Sequence, residues 1–461
     1  MKIKLLLFAI FISTLFAACN KDEELTFDPA AKLSFSSDSV LFDTVFTSIG
    51  SSSRRLKIYN PNGKAIHIDN IKLSGGVNSP FSLNINGLAA AEANNLKLNG
   101  KDSLNIFVKV QINPTVQHLP FIVEDSILLY FNGKKERIPL VAFGQNANFV
   151  NGATIASNTT WNSKLPYLIY KSVTIAKNAT LTIEPGTKVL FHGNASMSIK
   201  GTLNAIGTRT DSILFAGDRL EKLYRDQSGQ WNGLHFYPES TDSQLHYTII
   251  KNGVTGITVD SLGTNGAPKV LLTNSIVKNM EVVGFLGYQA AFTAFNNLFY
   301  NCGQYLLYGA GGGSYNLKQN TFVGYNPNFA RKTPIIYLSD YISTSQSANL
   351  SITVVNNIIW GTLKDEFSID KKTATSIITS DIKNNLLTTT NTSYNSNGNI
   401  LNQAPLFISI EKADFRLGPS SPVLNKGANL TGDLYFSSYL NRDLANKSRL
   451  FPSELGCYEN N

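Results

Sequence analysis

Four titratable residues share one short stretch of this chain, His235, Glu239, Asp242 and His246, with Lys222 and Arg225 upstream and His192 earlier still. Elimination from a carboxylated sugar needs a base and a cation, and hydrolysis of a glycosidic bond needs two carboxylates set across it. His235, Glu239 and His246 are therefore the candidate catalytic residues. An acidic calcium site would complete the set only in the eliminating case; otherwise no metal or cofactor is expected. The set is loose, however, and a polar turn flanked by histidines on strand faces explains the same residues without catalysis.

A second kind of chemistry is stacking on a sugar face. Trp231, Tyr337 and Tyr341 are the candidate ligand-binding residues, with Tyr288, Tyr300, Tyr305, Tyr308 and Tyr315 around Gly311, Gly312 and Gly313. Aromatic faces beside polar side chains suit carbohydrate, whereas inward-facing rings are ordinary core stacking. Two insertions break the repeat: 218–229 carries Arg219, Glu221, Lys222, Arg225 and Asp226, and 325–349 carries Phe329, Arg331, Tyr337, Asp340 and Tyr341. Loops on a rigid scaffold are where sites sit.

The elements that must position these residues recur. Thr248, Ser275, Asn297, Thr321, Asn357 and Asn385 each precede an apolar pair, at steps of 27, 22, 24, 36 and 28 residues. Steps in the twenties mean a solenoid, the longer ones being coils with insertions. Such units are too short for a βαβ crossover and lack helical periodicity, so stacked β-coils remain. Asn274, Asn296, Asn320, Asn356 and Asn384 recur at one turn, where a side-chain amide can bond to the coils above and below. Earlier coils show at Leu181-Thr182-Ile183-Glu184-Pro185-Gly186 and Met197-Ser198-Ile199-Lys200-Gly201. From 32 to 146 the pattern is instead strict alternation, as in Leu104 to Val110, and Asn132-Gly133 joins two such runs into a hairpin. A β-sandwich is expected there.

The chain begins with Lys2 and Lys4, an apolar run from Leu5 to Ile12, and Leu15-Phe16-Ala17-Ala18-Cys19. That run suits an export signal and is too short to span a bilayer. Over the whole chain Lys and Arg number 40 and Asp and Glu 32, a net charge of +8, and +6 once Lys2 and Lys4 leave with the signal. Only 16% of residues are charged and no basic run occurs, so nucleic acid is not an expected partner. Cys302 and Cys457 lack metal-like spacing and are read as buried thiols.

On these residues the chain resembles a bacterial surface lipoprotein. Leu15 to Cys19 resembles a lipobox, which implies lipidation of Cys19 and anchoring to the membrane, and Asn20-Lys21-Asp22-Glu23-Glu24 resembles an export tag to the outer-membrane surface. The repeat resembles the right-handed parallel β-helix of the pectate-lyase group, with the five asparagines above as its ladder. Residues 32–146 resemble an immunoglobulin-like module. Ala404-Pro405-Leu406-Phe407, Arg442-Asp443 and Leu455-Gly456-Cys457-Tyr458-Glu459 resemble the end segment of surface β-helix proteins, which implies a cap. Six triplets, at Ser39, Thr44, Ser103, Ser126, Ser212 and Ser261, resemble an envelope O-glycosylation acceptor.

The expected order is a signal peptide (1–18), lipidated tether (19–31), immunoglobulin-like β-sandwich (32–146), right-handed parallel β-helix (147–403) and C-terminal cap (404–461). The all-β protein is expected to be anchored in the outer membrane, probing outward. Its leading function is non-catalytic binding of a polysaccharide or another surface macromolecule. A polysaccharide lyase or glycoside hydrolase with a non-standard site, and a purely structural envelope protein, are the alternatives.

Overall fold

The computed structural model describes residues 24–263, 266–325, 330–343, 346–372 and 374–460. The signal segment, Cys19 and the acidic tag up to Glu23 lie outside the described residues, as does Phe329. The chain divides after Asn146 into two compact units.

The first unit is a β-sandwich of a six-stranded and a five-stranded sheet. Alternate residues of both sheets, including Leu56, Ile58, Ile68, Ile106, Val108, Leu129 and Leu140, meet in one core. Strands Phe121–Phe131 and Lys134–Gln145 form the expected hairpin, with Asn132 and Gly133 both left-handed, φ 46° and 71°, as a two-residue turn requires. The sandwich also takes in residues that the sequence assigns to the tether. Leu25–Thr26 pairs with Ala65–Ile66, Ala31 is buried, and Asn132 Nδ2 donates to the carbonyls of Thr26 and Asp28. A two-residue strand is too short to show alternation, so the sequence hides it.

The second unit is a parallel β-helix, as the repeat spacing predicts. Each coil contributes strands to three ladders. The first ladder runs from Asn148–Val150 through Tyr167–Ile169, Thr248–Lys251, Ile276–Met280 and Leu298–Cys302 to Ile400–Leu401. The second includes Met197–Ile199, Leu234–Phe236, Thr255–Asp260 and Ile336–Ser339; the third includes Thr202–Ile206, Ser243–His246, Val270–Thr273 and Leu350–Val355. Strands Val283–Phe295 and Tyr305–Lys318 run across both of the latter. Inward residues of all three form a continuous core from Ile155 to Leu387. Corners are tight: a Cβ on Gly201 would lie 2.1 Å from the Ala179 carbonyl oxygen.

One turn carries the amide ladder, and its register differs from the expected one. The rungs are Thr248, Ser275, Asn297, Asn320, Asn357, Asn385 and Asn399, at steps of 27, 22, 23, 37, 28 and 14 residues. Asn357 is typical: its Nδ2 donates to Leu317 O at 2.9 Å and Asn385 Oδ1 at 3.1 Å, while its Oδ1 accepts from Asn320 N at 2.9 Å. Asn274, Asn296, Asn356 and Asn384 are not rungs but their predecessors. Each is left-handed (φ 49°, 57°, 59° and 49°), which turns its side chain out of the coil. Asn320 is itself a rung, and Gln319 takes the outward place before it. Where two amides are adjacent, the side that each faces is decided by the local backbone, and the sequence pattern does not carry that.

The outward amides hold the C-terminal segment. Asn384, Asn356, Asn296 and Asn274 donate in turn to the carbonyls of Lys426, Ala428, Tyr439 and Asp443, at 2.6 to 3.0 Å. Residues 426–443 thus run back along the flank of the solenoid. The expected cap segment lies here along the flank as a strap, and Tyr394, set edge-on to Phe367 at 5.6 Å, packs against the core ahead of the last strand. Apolar clusters seat the strap, among them Leu430 and Leu440 on Leu271, Phe295 and Val355. The Arg442 side chain is exposed and donates to the carbonyl of Asn446. The ionic anchor is Arg449, wholly buried with Glu459 and bonded to Asn296 Oδ1 at 2.8 Å. Burial, then the facing Glu454 carboxyl, pushes Glu459 up to about 9 against the pull of Arg449.

Two measurements check this account. In urea titrations Asn357→Leu should lower stability by about 2–4 kcal/mol, because several buried donors and acceptors lose partners, and Asn384→Ala by only about 1 kcal/mol; equal losses would put the ladder in the wrong register. Glu459 has a folded value above its unfolded one, so its stabilisation is complete below pH 4.5 and is lost as the pH rises toward about 9. The urea midpoint of the wild type should therefore fall across that window more than the midpoint of Glu459→Gln.

Candidate functional site

The structure does not gather the expected acid and base groups. His235 points outward from the second ladder and His246 outward from the third. Glu239 and Asp242 are exposed in the turn between them. His246 is held by Thr273, Nδ1 to Oγ1 2.7 Å, and burial keeps it neutral by pushing its value down. The turn's own anchor is Lys269, 1% exposed, whose ammonium donates to the carbonyls of Tyr237, Pro238 and Ser240. Lys222 is exposed, and Arg225 pairs with Asp226 while its carbonyl accepts from Lys251. Among the described residues no three His, Cys, Asp or Glu side chains converge as a metal would require.

Two outward histidines instead find an aspartate one coil away. His235 Nε2 lies 2.7 Å from Asp260 Oδ2, 25 residues on, and its ring stacks on Tyr237 at 4.0 Å. His192 Nδ1 lies 2.7 Å from Asp218 Oδ2, 26 residues on, and its ring stacks on Tyr170 at 4.4 Å. Burial pushes Asp218 up, and the bond to His192 opposes that shift. The second pair borders a cleft of about 570 Å³ lined also by Arg219, Tyr224 and Gln230. There Arg219 sits 3.9 Å over the Tyr224 ring and is bonded to Glu221. A histidine whose one nitrogen is held by carboxylate and whose other is free can accept a proton. The signal for both pairs was present in the sequence as an offset of one coil.

The aromatic candidates separate cleanly. Trp231 is wholly buried, stacked on Phe191 at 4.1 Å, with Nε1 donating to the Lys251 carbonyl at 2.9 Å; it is a core residue and no ligand platform. Tyr315 is buried likewise. Tyr308 and Tyr337 are register neighbours on the outward side of the second ladder, rings 5.4 Å apart and inclined 13°. Tyr305 closes on both, at 4.9 and 6.1 Å. The Tyr337 and Tyr341 hydroxyls both donate to Asp370, at 2.9 and 2.6 Å, and Lys372 lies 4.6 Å over the Tyr341 ring. Burial, then these bonds to Tyr341 and Asp370, push Tyr337 upward, so it remains a neutral donor. Tyr288, 40% exposed, stands beside Asp260 on the same side. A tyrosine strip with an acid and a base at its edge therefore lies along one face.

Other charged residues of the insertions are structural. Arg331 and Glu366 form a two-pronged pair at 2.7 and 2.6 Å, with side chains 2% and 0% exposed. Asp340 accepts from Lys372 N and Ser376. Ser126, in one of the six acceptor-like triplets, is buried and bonded to Arg137, unlike the partly exposed hydroxyls of the other five. Cys302 and Cys457 are buried and are not bridged to one another, and burial pushes both thiols up to about 12.

No protein-family model and no curated protein matches the chain. Among solved structures it is similar to a family 123 glycoside hydrolase from Clostridium perfringens, at 10% identity and TM-score 0.19, over 27% of this chain and 30% of that one. It is similar also to the E. coli chaperone DraB, at 12% identity and TM-score 0.18, over 26% and 57%. A third likeness is PapD-like domain 7 of human CEP192, at 10% identity and TM-score 0.19, over 28% and 97%. The chain spans less than two thirds of the first two, and likeness at this level carries nothing about activity.

Because Arg331 and Glu366 have no solvent to fall back on, Arg331→Met should cost about 3–5 kcal/mol in urea unfolding by leaving a buried carboxylate unpaired. A loss below about 1 kcal/mol would mean that the insertion is not pinned by this pair.

Proposed function

We propose that the chain is a lipid-anchored protein of the outer-membrane surface that binds glycan, without catalysis, along the outward side of the second ladder. The observation that carries the binding site is the strip of Tyr305, Tyr308, Tyr337 and Tyr341 with Asp370 and Lys372 at its edge. Ring faces on successive coils suit successive sugar units, and carboxylate and ammonium at the edge suit their hydroxyls. Parallel coils fix the spacing of the rings, so little ordering is needed on binding. The anchor rests on Leu15 to Cys19, and the outer-membrane address on the acidic run after it. Residues 24–146 serve as an immunoglobulin-like spacer between anchor and solenoid. Among the described residues no helix is long and apolar enough to cross a membrane.

A second reading is a polysaccharide lyase or glycoside hydrolase with a non-standard site. It is favoured by the His192–Asp218 pair in its cleft beside Arg219, rather than by His235, Glu239 and His246 together.

The deciding experiment presents the full chain to immobilised acidic and neutral polysaccharides and follows both retention and release of reducing or unsaturated ends. Retention without release is expected, weakened about three- to tenfold by Tyr337→Ala or Tyr308→Ala. Release of ends that disappears in His192→Ala would replace binding by catalysis, and retention indifferent to both tyrosine variants would remove the strip from the site.

A further inference from the structure

The first ladder carries an outward column of Lys251, Lys278 and Tyr300 on three successive coils. Lys251 is used within the protein: its ammonium donates to the Arg225 carbonyl at 2.9 Å and faces Asp226 at 3.4 Å, holding the 218–229 insertion against the coil. The Lys278 ammonium makes neither a hydrogen bond nor an ion pair with any described residue and lies 5.6 Å over the Tyr300 ring. Its ammonium lines a cavity of about 340 Å³ together with Asn279, Tyr300, Asn301, Asp226 and Phe415.

Beside this column runs a short amide row. Asn252 Nδ2 donates to the Arg225 carbonyl, Asn279 Nδ2 to Asn252 Oδ1 at 3.3 Å, and Asn301 Nδ2 to Asn279 Oδ1 at 2.7 Å. The row then stops, because the next coil pairs Val323 with Tyr300 and so places Gly324 where another amide would follow. Asn301, 8% exposed, is left with its Oδ1 buried and without a hydrogen-bond partner among the described residues. A buried acceptor in that condition is destabilising until something donates to it. Lys278 and Asn301 thus line one cavity, and neither the ammonium of the first nor the Oδ1 of the second has a hydrogen-bond partner among the described residues.

We propose that this cavity binds a small hydroxycarboxylate, Lys278 receiving the carboxylate and Asn301 Oδ1 accepting a hydrogen bond from a ligand hydroxyl. The rings of Tyr300 and Phe415 wall it, and burial pushes the Tyr300 phenol up to about 12, so its hydroxyl is a second donor at neutral pH. Asp226 and Glu411 also line the cavity and repel a second negative charge, which favours a singly charged carboxylate over a phosphate dianion. Burial pushes the Lys278 amine down while Asp226 opposes that shift, and an incoming carboxylate would oppose it in the same way. The site is on the first ladder, and the tyrosine strip on the second, so the two stand or fall separately.

Calorimetry on the full chain tests it with three solutes: D-glucuronate, its methyl ester and inorganic phosphate. Glucuronate should bind, and the ester and phosphate at least about tenfold more weakly. Lys278→Met should weaken glucuronate by about the same factor and Lys278→Arg by less. Equal binding of acid and ester by the wild type, an affinity unchanged in Lys278→Met, or no binding of glucuronate would each overturn the proposal. The comparison of acid with ester needs no variant, so it stands even where a substitution disturbs the fold.

Discussion

Every coil of the solenoid must hand its backbone hydrogen bonds to the next, since a parallel strand has no partner within its own coil. Between ladders the chain turns, and there the backbone groups fall out of register with any strand. The buried row from Thr248 to Asn399 supplies their partners. Asparagine fits because one side chain carries both two donors and an acceptor, enough to reach its own coil and both neighbours. Where the row begins, Thr248 and Ser275 do the same with hydroxyls. The three outward faces, and whatever they hold, are laid out by this one constraint.

The same geometry makes columns. A residue on an outward face stands one coil spacing from its counterparts, so side chains about 25 residues apart in sequence become neighbours. His192 with Asp218, His235 with Asp260 and Tyr308 with Tyr337 are all pairs of this kind. An insertion lengthens one coil without disturbing the columns on either side. The described residues of the 218–229 and 325–349 segments are accordingly held to the coils, by Lys251 in one case and by Arg331 with Glu366 in the other.

The strap is the less expected half of the design. An exposed flank of a solenoid carries left-handed corner residues, and asparagine tolerates that conformation. Here their side chains are not idle: Asn274, Asn296, Asn356 and Asn384 grip residues 426–443. Two neighbouring amides in the sequence thus serve two structures, one inside the coil and one outside. Glu459, Arg449 and Asn296 then lock the returning tail in a dry environment, where a carboxyl resists ionisation.

Sequence by itself determined the class of fold, because coil length and apolar pairs at each step allow only stacked β-strands, and alternation before Asn146 allows only a sheet with one buried side. It also marked the hairpin at Asn132-Gly133, whose chemistry is local. Tertiary structure decided which of two adjacent asparagines faces inward, that the C-terminal segment lies along the flank, and that Trp231 is core while Tyr337 is surface. It alone paired the histidines with Asp218 and Asp260 and left Lys278 and Asn301 open to one cavity. Those outcomes depend on the backbone angle at a single residue or on contacts between coils, and neither is written in any local pattern of the chain.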